Sequence, residues 1–479
     1  MRITSLTIGN FKGIAAKANI PLAPITLLFG ANSTGKSTVL HAMLYLYEVV
    51  VNRNFDPVYS AVTGEQLWLG GFKNLVHGKR LDSVITLGAT LKFDDEEIWD
   101  NYLTSAEDWL LEKHLGFWPE STADDMSFEL DLAWDSYKNR VYVSRYECQS
   151  KGQTYLKFEA QAGRPNATVT HYQPLSHWHV EDEFSIDNIF KSGIFEPFDI
   201  LSRDALPPLD QRIDLSQVPF SWDDVWEEHP LAARLFAEGS VSQAALAPIK
   251  HLARKLDKLF HIGPLRIIPT CESKVVLNIE NTDWYSGKTA WDLFSISSER
   301  FQQRVNHCFN DASMFNSGYV FEIESQPESI VETKRVILHD TLSNVRLLPS
   351  SVGIGVSQVF PFVVGASLDV PTIMSCEQPE LHIHPKWQLA LADIMLDACK
   401  RQPEQMFLVE THSEHMMLRL LKRIANASEE CPLVPSDISV INVYKHCGSL
   451  CYQKQNITAD GDFELDWPQG FFEERYGEL

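Results

Sequence analysis

The run Gly30-Ala31-Asn32-Ser33-Thr34-Gly35-Lys36-Ser37 sets two glycines, a lysine and a hydroxyl at the spacing G-x-x-x-x-G-K-[ST]. Backbone N–H groups in such a loop can face an anion, and a lysine can reach β- and γ-phosphates. The serine hydroxyl can ligate Mg²⁺. Thr38 follows as a further phosphate-side hydroxyl. The flanks suit the loop. Ile25-Thr26-Leu27-Leu28-Phe29 reads as a buried strand, and Ser37 to Val49, with Leu40, Met43, Leu44 and Tyr47 on one face, reads as a helix. Strand, glycine loop and helix start together predict a site for ATP with Mg²⁺.

A phosphate loop alone names no reaction, and the partners lie far along the chain. Val370 to Cys376 is an apolar strand running into Glu377-Gln378-Pro379-Glu380. A carboxylate at the end of a buried strand suits Mg²⁺ coordination through water, and Glu377 is the residue expected there. Met406-Phe407-Leu408-Val409 is a second strand, ending in Glu410-Thr411-His412-Ser413, where His412 could contact the γ-phosphate and help hold the attacking water. Upstream, Gly353-Ile354-Gly355-Val356-Ser357-Gln358 opens an apolar helix. Its glycines would allow close approach of backbone to a ligand, and Ser357 would offer N–H groups and a hydroxyl to an anion.

These segments need elements to position them. Residues 3–11 and 82–93 read as strands, and residues 24–30 lead into the phosphate loop. A helix is expected from about 244 to 260, with Lys250, Arg254 and Lys258 on one face. Between 94 and 247 the pattern loosens and tryptophans collect, at 99, 109, 118, 134, 178, 222 and 226. Eleven acidic residues and one basic one, Lys113, lie between Asp94 and Asp125. The expected organisation is an ATPase head in two halves, 1–93 and 248–430, with an inserted acidic α+β domain at 94–247 and a tail at 431–479 completing the head.

Composition bounds the function classes. A net charge of −23 opposes a general nucleic-acid coat, though DNA could still meet a local basic patch. No apolar run approaches the ~18 residues needed to cross a bilayer, and no signal peptide opens the chain, so a cytoplasmic protein without membrane partners is expected. The eight cysteines are scattered without a zinc-site spacing. His382-x-His384 beside Glu380 has metal-ligand residue types but also fits a plain loop.

Taken together, Ile8-Gly9-Asn10-Phe11-Lys12-Gly13, the phosphate loop, Gly353-x-Gly355-x-Ser357-Gln358, Glu377 to Pro385 and Thr411-His412-Ser413-Glu414 resemble the ABC-type ATPases related to SMC, RecF and the OLD proteins. Leu69 to His77, Ile262-Gly263-Pro264-Leu265-Arg266 and the tail Asp466 to Arg475 are similar to one bacterial branch of that group, often described simply as AAA-family ATPases. The resemblance covers about 1–93 and 248–479. It implies an α/β head with a mixed sheet that dimerises head-to-tail, or assembles further, around ATP. Gly353, Gly355 and Ser357 would then form a signature segment contacting the nucleotide of the other subunit, although Ser350-Ser351 could also be placed there. His412 would be the switch histidine.

One position departs from the group. Where its members follow the Mg²⁺-associated acid with a second, water-activating carboxylate, this chain has Gln378. An amide orients water but cannot take its proton, and a lost general base costs typically ~10²–10⁴ in rate. Slow hydrolysis is therefore expected, with Glu380 or Glu410 as possible substitutes for the base. About 65 residues follow His412, too few for the nuclease domain of OLD-type proteins. The resemblance thus implies an ATP-switched assembly controlling a separate effector, such as a nuclease or toxin, in bacterial anti-phage defence. A RecF-like repair ATPase on duplex DNA and an ATP-held scaffold with little turnover are the alternatives.

Overall fold

The computed structural model describes residues 1–64, 66–93, 102–115, 125–172, 197–216, 218, 222, 228–268, 283–326, 333–427, 433–446 and 448–465. The tail motif from Asp466 on, Trp99, Trp118, Trp178, Trp226 and most of the acidic run at 94–125 lie outside the described residues.

In chain order the first strands are β1 (Arg2–Gly9), β2 (Ala18–Pro21), β3 (Ile25–Phe29), β4 (Ile85–Lys92) and β5 (Asp125–Asp135). They are followed by β6 (Arg140–Ser150), β7 (Gln153–Glu159), β8 (Ala167–Tyr172), β9 (Phe198–Ile200), β10 (Leu259–Ile262) and β11 (Tyr319–Gln326). The last are β12 (Thr333–Asp340), β13 (Val345–Leu347), β14 (Ile373–Glu377), β15 (Met406–Glu410), β16 (Ile438–His446) and β17 (Ser449–Gln455). The helices are α1 (Lys36–Val50), α2 (Phe72–Leu75), α3 (Ser105–Leu115), α4 (Pro230–Leu256) and α5 (Lys288–Ile296). After them come α6 (Glu299–Asn310), α7 (Ile354–Ala366), α8 (Pro385–Arg401) and α9 (Glu414–Ala425). No helix among the described residues is long and apolar enough to cross a membrane.

The chain forms two compact units. One comprises Met1–Ile20, Tyr45–Pro57 and Gly70–Asp257; the other comprises Pro21–Leu44, Val58–Leu69 and Lys258–Leu479.

The first unit is built on one sheet in the order β2-β1-β4-β5-β6-β7-β8-β9. β5 pairs antiparallel with β4, Leu87 opposite Leu130, so the strands after residue 124 extend the N-terminal sheet rather than start another. Alternation drives this: Met126, Phe128, Leu130 and Leu132 are buried while their neighbours are more exposed. α4 packs with this unit and runs from 230 to 256, longer than expected at its start and ending before Lys258. Pro248 inside it has no N–H for the Ala244 carbonyl. Tyr155 Oη donates to that carbonyl instead, at 2.9 Å, and Tyr146 Oη donates to the carbonyl of Ala245. Of the predicted cation face, Lys250 lies 5.3 Å over the Tyr102 ring and 3.6 Å from Asp210.

A polar cleft of about 590 Å³ in this unit holds Glu107, Arg212 and Glu238 among its walls. Arg212 forks onto Glu107 with bonds of 2.9 and 3.0 Å and reaches Glu238 at 3.0 Å.

The second unit holds the sheet β10-β14-β15-β3-β16-β17, parallel from β10 to β16 with β17 antiparallel at one edge. Its strands are apolar along nearly their whole length, as expected of a sheet covered on both faces. A core of Phe294, Phe309, Phe321, Phe360 and Trp291 fills the space between α5, α6, α7 and the three-stranded sheet β11-β12-β13.

The Arg212 fork holds the Glu107 carboxyl down at about 2, below its ordinary 4.5. Because the folded value is depressed, the stabilisation is whole above about pH 4.5 and is lost as pH falls toward 2. Glu107→Gln is expected to cost about 1–2 kcal/mol at pH 7 in urea unfolding, with the difference from wild type shrinking below pH 4.5. A pH-independent difference would refute the assignment.

Candidate functional site

The predicted residues fall within the second unit. β3 delivers the chain into the loop at Gly30, whose φ of +148° and neighbours demand glycine: a Cβ there would meet the Val443 carbonyl oxygen at 2.2 Å. Ala31, Asn32 and Ser33 form the exposed part of the loop. Thr34 Oγ1 donates to the Ala31 carbonyl at 2.7 Å, and the Thr38 N–H donates to the Gly35 carbonyl at 3.0 Å. α1 begins at Lys36, so its first N–H groups open onto the loop. Lys36 is 4% exposed, and its Nζ donates to the carbonyls of Gly30 and Ala31, both at 3.0 Å.

The parallel order β14-β15-β3 brings the two distant carboxylate strand ends to this loop. Ser37 meets Glu410: Ser37 Oγ donates to Glu410 Oε2 at 2.6 Å, and Lys36 Nζ lies 3.8 Å from Glu410 Oε1. The reason is topological. β15 lies between β14 and β3, so the end of β15 is the nearer one. Glu377 is opposite Glu410 in the register of β14 and β15, one strand further from the loop. Burial raises the Glu410 carboxyl, and the nearby Glu377 charge adds to the rise, while Ser37 offsets it. Lys36 is pulled down by burial, partly offset by Glu410 and Glu380. Burial thus presses both partners toward their neutral forms, and a phosphate or a metal ion would restore the balance.

Gln378 stands at φ +43°, with its backbone held on both sides. Its N–H donates to the Glu410 carbonyl at 2.8 Å, and its carbonyl accepts from Arg266 Nη1 at 3.1 Å. Glu380 accepts the N–H of His412 at 2.7 Å, and burial raises its carboxyl. His412 is pushed down, by burial first and by Lys36 second, which favours a neutral imidazole beside the lysine. Ser413 caps α9, accepting from the N–H of Met416.

The residues expected to form the signature segment differ in exposure. Gly353 and Ile354 are exposed at the start of α7, but Ser357 is 0% exposed inside that helix. Ser350 and Ser351, just ahead of the helix, are exposed. Gly355 has a steric role: a Cβ would lie 2.8 Å from the His382 carbonyl oxygen.

Arg266 carried no role in the sequence reading. It is 5% exposed, and its guanidinium caps the carbonyls of Glu377 and Gln378. Its own backbone exchanges two bonds with the Gln358 amide, at 3.3 and 2.7 Å. The loop at 263–268, α7 and the end of β14 are thereby fixed together. The only signal in the sequence was the segment Ile262 to Arg266, which the resemblance flagged without explaining.

The donor set suits ATP with Mg²⁺: a backbone cradle closed to side chains, a buried lysine, and hard oxygen donors from Ser37 and the carboxylates. Residues 1–161 match the AAA ATPase domain family. No curated protein matches the chain. Among solved structures it is similar to an SmcHead bound to the C-winged helix domain of ScpA, at 10% identity and TM-score 0.44, over 95% of this chain and 98% of that one. The SMC head domain from Thermotoga maritima matches at 9% identity and TM-score 0.37, over 95% and 99%. A Smc head domain with an extended coiled coil, bound to the C-terminal domain of ScpA derived from Pyrococcus furiosus, matches at 11% and 0.39, over 95% and 96%. These overlaps are loose and carry no assignment; the family match covers residues 1–161, the stretch that holds the phosphate loop.

Proposed function

We propose that the protein binds and slowly hydrolyses ATP with Mg²⁺, as a dimer or larger assembly whose nucleotide state controls a separate effector. The observation that carries this reading is Gln378, an amide with its backbone pinned by Arg266 and Glu410 where the resemblance expects a base. In this reading Lys36 binds phosphate, Ser37 and Glu410 hold Mg²⁺ with Glu377 behind them, and His412 contacts the γ-phosphate. Bound Mg²⁺ would neutralise charge on the phosphates. Gln378 orients water without removing its proton, and Glu380, with its raised carboxyl, is a substitute base. Self-association is supported by the exposed start of α7, where Ser350, Ser351 and Gly353 offer hydroxyls and helix N–H groups to a nucleotide on a second copy. The effector and the anti-phage setting come from the resemblance alone. No comparable observation favours the repair reading, which the net charge of −23 opposes.

Gln378→Glu tests the central point. It should raise kcat by ~10- to 100-fold over wild type, with Lys36→Ala as the inactive reference in a phosphate-release assay. An unchanged or lower rate would show that Gln378 is not what limits turnover. Separately, Glu410→Gln should weaken nucleotide affinity ~10- to 100-fold in Mg²⁺ and leave it unchanged in EDTA, read by fluorescent-nucleotide titration. Equal losses in both would assign Glu410 to the loop's structure instead.

A further inference from the structure

His261 on β10 is paired with Ser375 on β14, and both are 0% exposed. The imidazole Nδ1 lies 2.8 Å from Ser375 Oγ, and Nε2 lies 3.3 Å from Glu377 Oε1. The Tyr285 ring sits beside the imidazole, centroid to centroid 5.7 Å. Serine, histidine and glutamate in a row invite comparison with a hydrolytic triad, and the geometry excludes one. In a triad the serine meets Nε2 and the acid meets Nδ1. Here the order is reversed, and a fully buried serine meets no substrate. An imidazole that accepts the Ser375 proton at Nδ1 carries its own on Nε2, the nitrogen facing Glu377.

We propose that His261 is a positioning residue for the Glu377 carboxylate, and through it for the metal-bound nucleotide. The inference rests on the ATPase reading above. Arg266 fixes the backbone carbonyl of Glu377 but leaves its side-chain torsions free. Those torsions matter because Glu377 is opposite Glu410 in the sheet register, and its charge acts on the Glu410 carboxyl. Nε2 stands 3.3 Å from Glu377 Oε1, short of a hydrogen bond in this geometry but close enough for an N–H there to attract that oxygen and hold it against the repulsion. Ser375 in turn selects the tautomer. Groups that orient a metal-binding carboxylate are worth ~10- to 100-fold in metal affinity or activity.

The test uses the full chain with three substitutions. His261→Phe keeps a ring but removes the donor, His261→Gln keeps an N–H near the Nε2 position, and Ser375→Ala frees Nδ1. The readouts are Mn²⁺ affinity of the protein–ATP complex by electron paramagnetic resonance, kcat and KM for ATP, and ATP affinity in EDTA. His261→Phe should weaken Mn²⁺ binding and lower kcat by ~10- to 100-fold with ATP affinity in EDTA unchanged. Ser375→Ala should show a smaller loss of the same kind, and His261→Gln should recover most of it. A glutamine variant as impaired as phenylalanine, or Mn²⁺ affinity unmoved by phenylalanine, overturns the proposal. Should His261→Phe fail to fold, unchanged Mn²⁺ affinity in Ser375→Ala overturns it. If wild type and Lys36→Ala bind ATP equally in EDTA, the ATPase reading itself has failed and this inference falls with it.

Discussion

Lys36 is the charge around which the second unit is arranged. An ammonium that is 4% exposed is costly unless its surroundings compensate, and here two loop carbonyls and the Glu410 carboxylate do so. Glu410 can reach it only because β15 lies beside β3. β15 in turn places β14 and its Glu377 one strand out, and Arg266 then secures the end of β14. Glu377 and Glu380 act on Glu410, and Glu410 and Glu380 act on Lys36, so the site gathers more negative than positive charge. Such a site favours a divalent cation arriving with a phosphate.

The loop itself was legible in the sequence because its chemistry is contiguous. Eight consecutive residues carry the cradle, the lysine and the hydroxyl, and local backbone geometry does the rest. The strands ending at Glu377 and Glu410 were also legible as apolar runs capped by carboxylates. Which carboxylate meets Ser37 was not, because that depends on the order of strands in a parallel sheet, a long-range property. The burial of Ser357 was illegible for a related reason. Its place in a glycine-serine helix start reads as exposed, but the apolar helix that follows turns that face into the core.

Arg266 and His261 were invisible as functional residues for a different reason. Each sits more than a hundred residues from the atoms it bonds, Arg266 to Glu377 and Gln378 and His261 to Ser375. A buried histidine on an apolar strand has no local signature of its own. The region after residue 124 carried two signals. Its composition shift suggested a separate insertion, while its two-residue alternation was already compatible with extending the sheet begun by β1 and β4.

The proposed site holds ATP well and turns it over slowly. The most direct check is to measure, on one wild-type preparation, both equilibrium binding of ATP with Mg²⁺ and the single-turnover rate of its hydrolysis. Binding together with turnover far below the usual ~1–10³ s⁻¹ of enzymes is the predicted result. Failure to bind, or hydrolysis within that ordinary range, would contradict it.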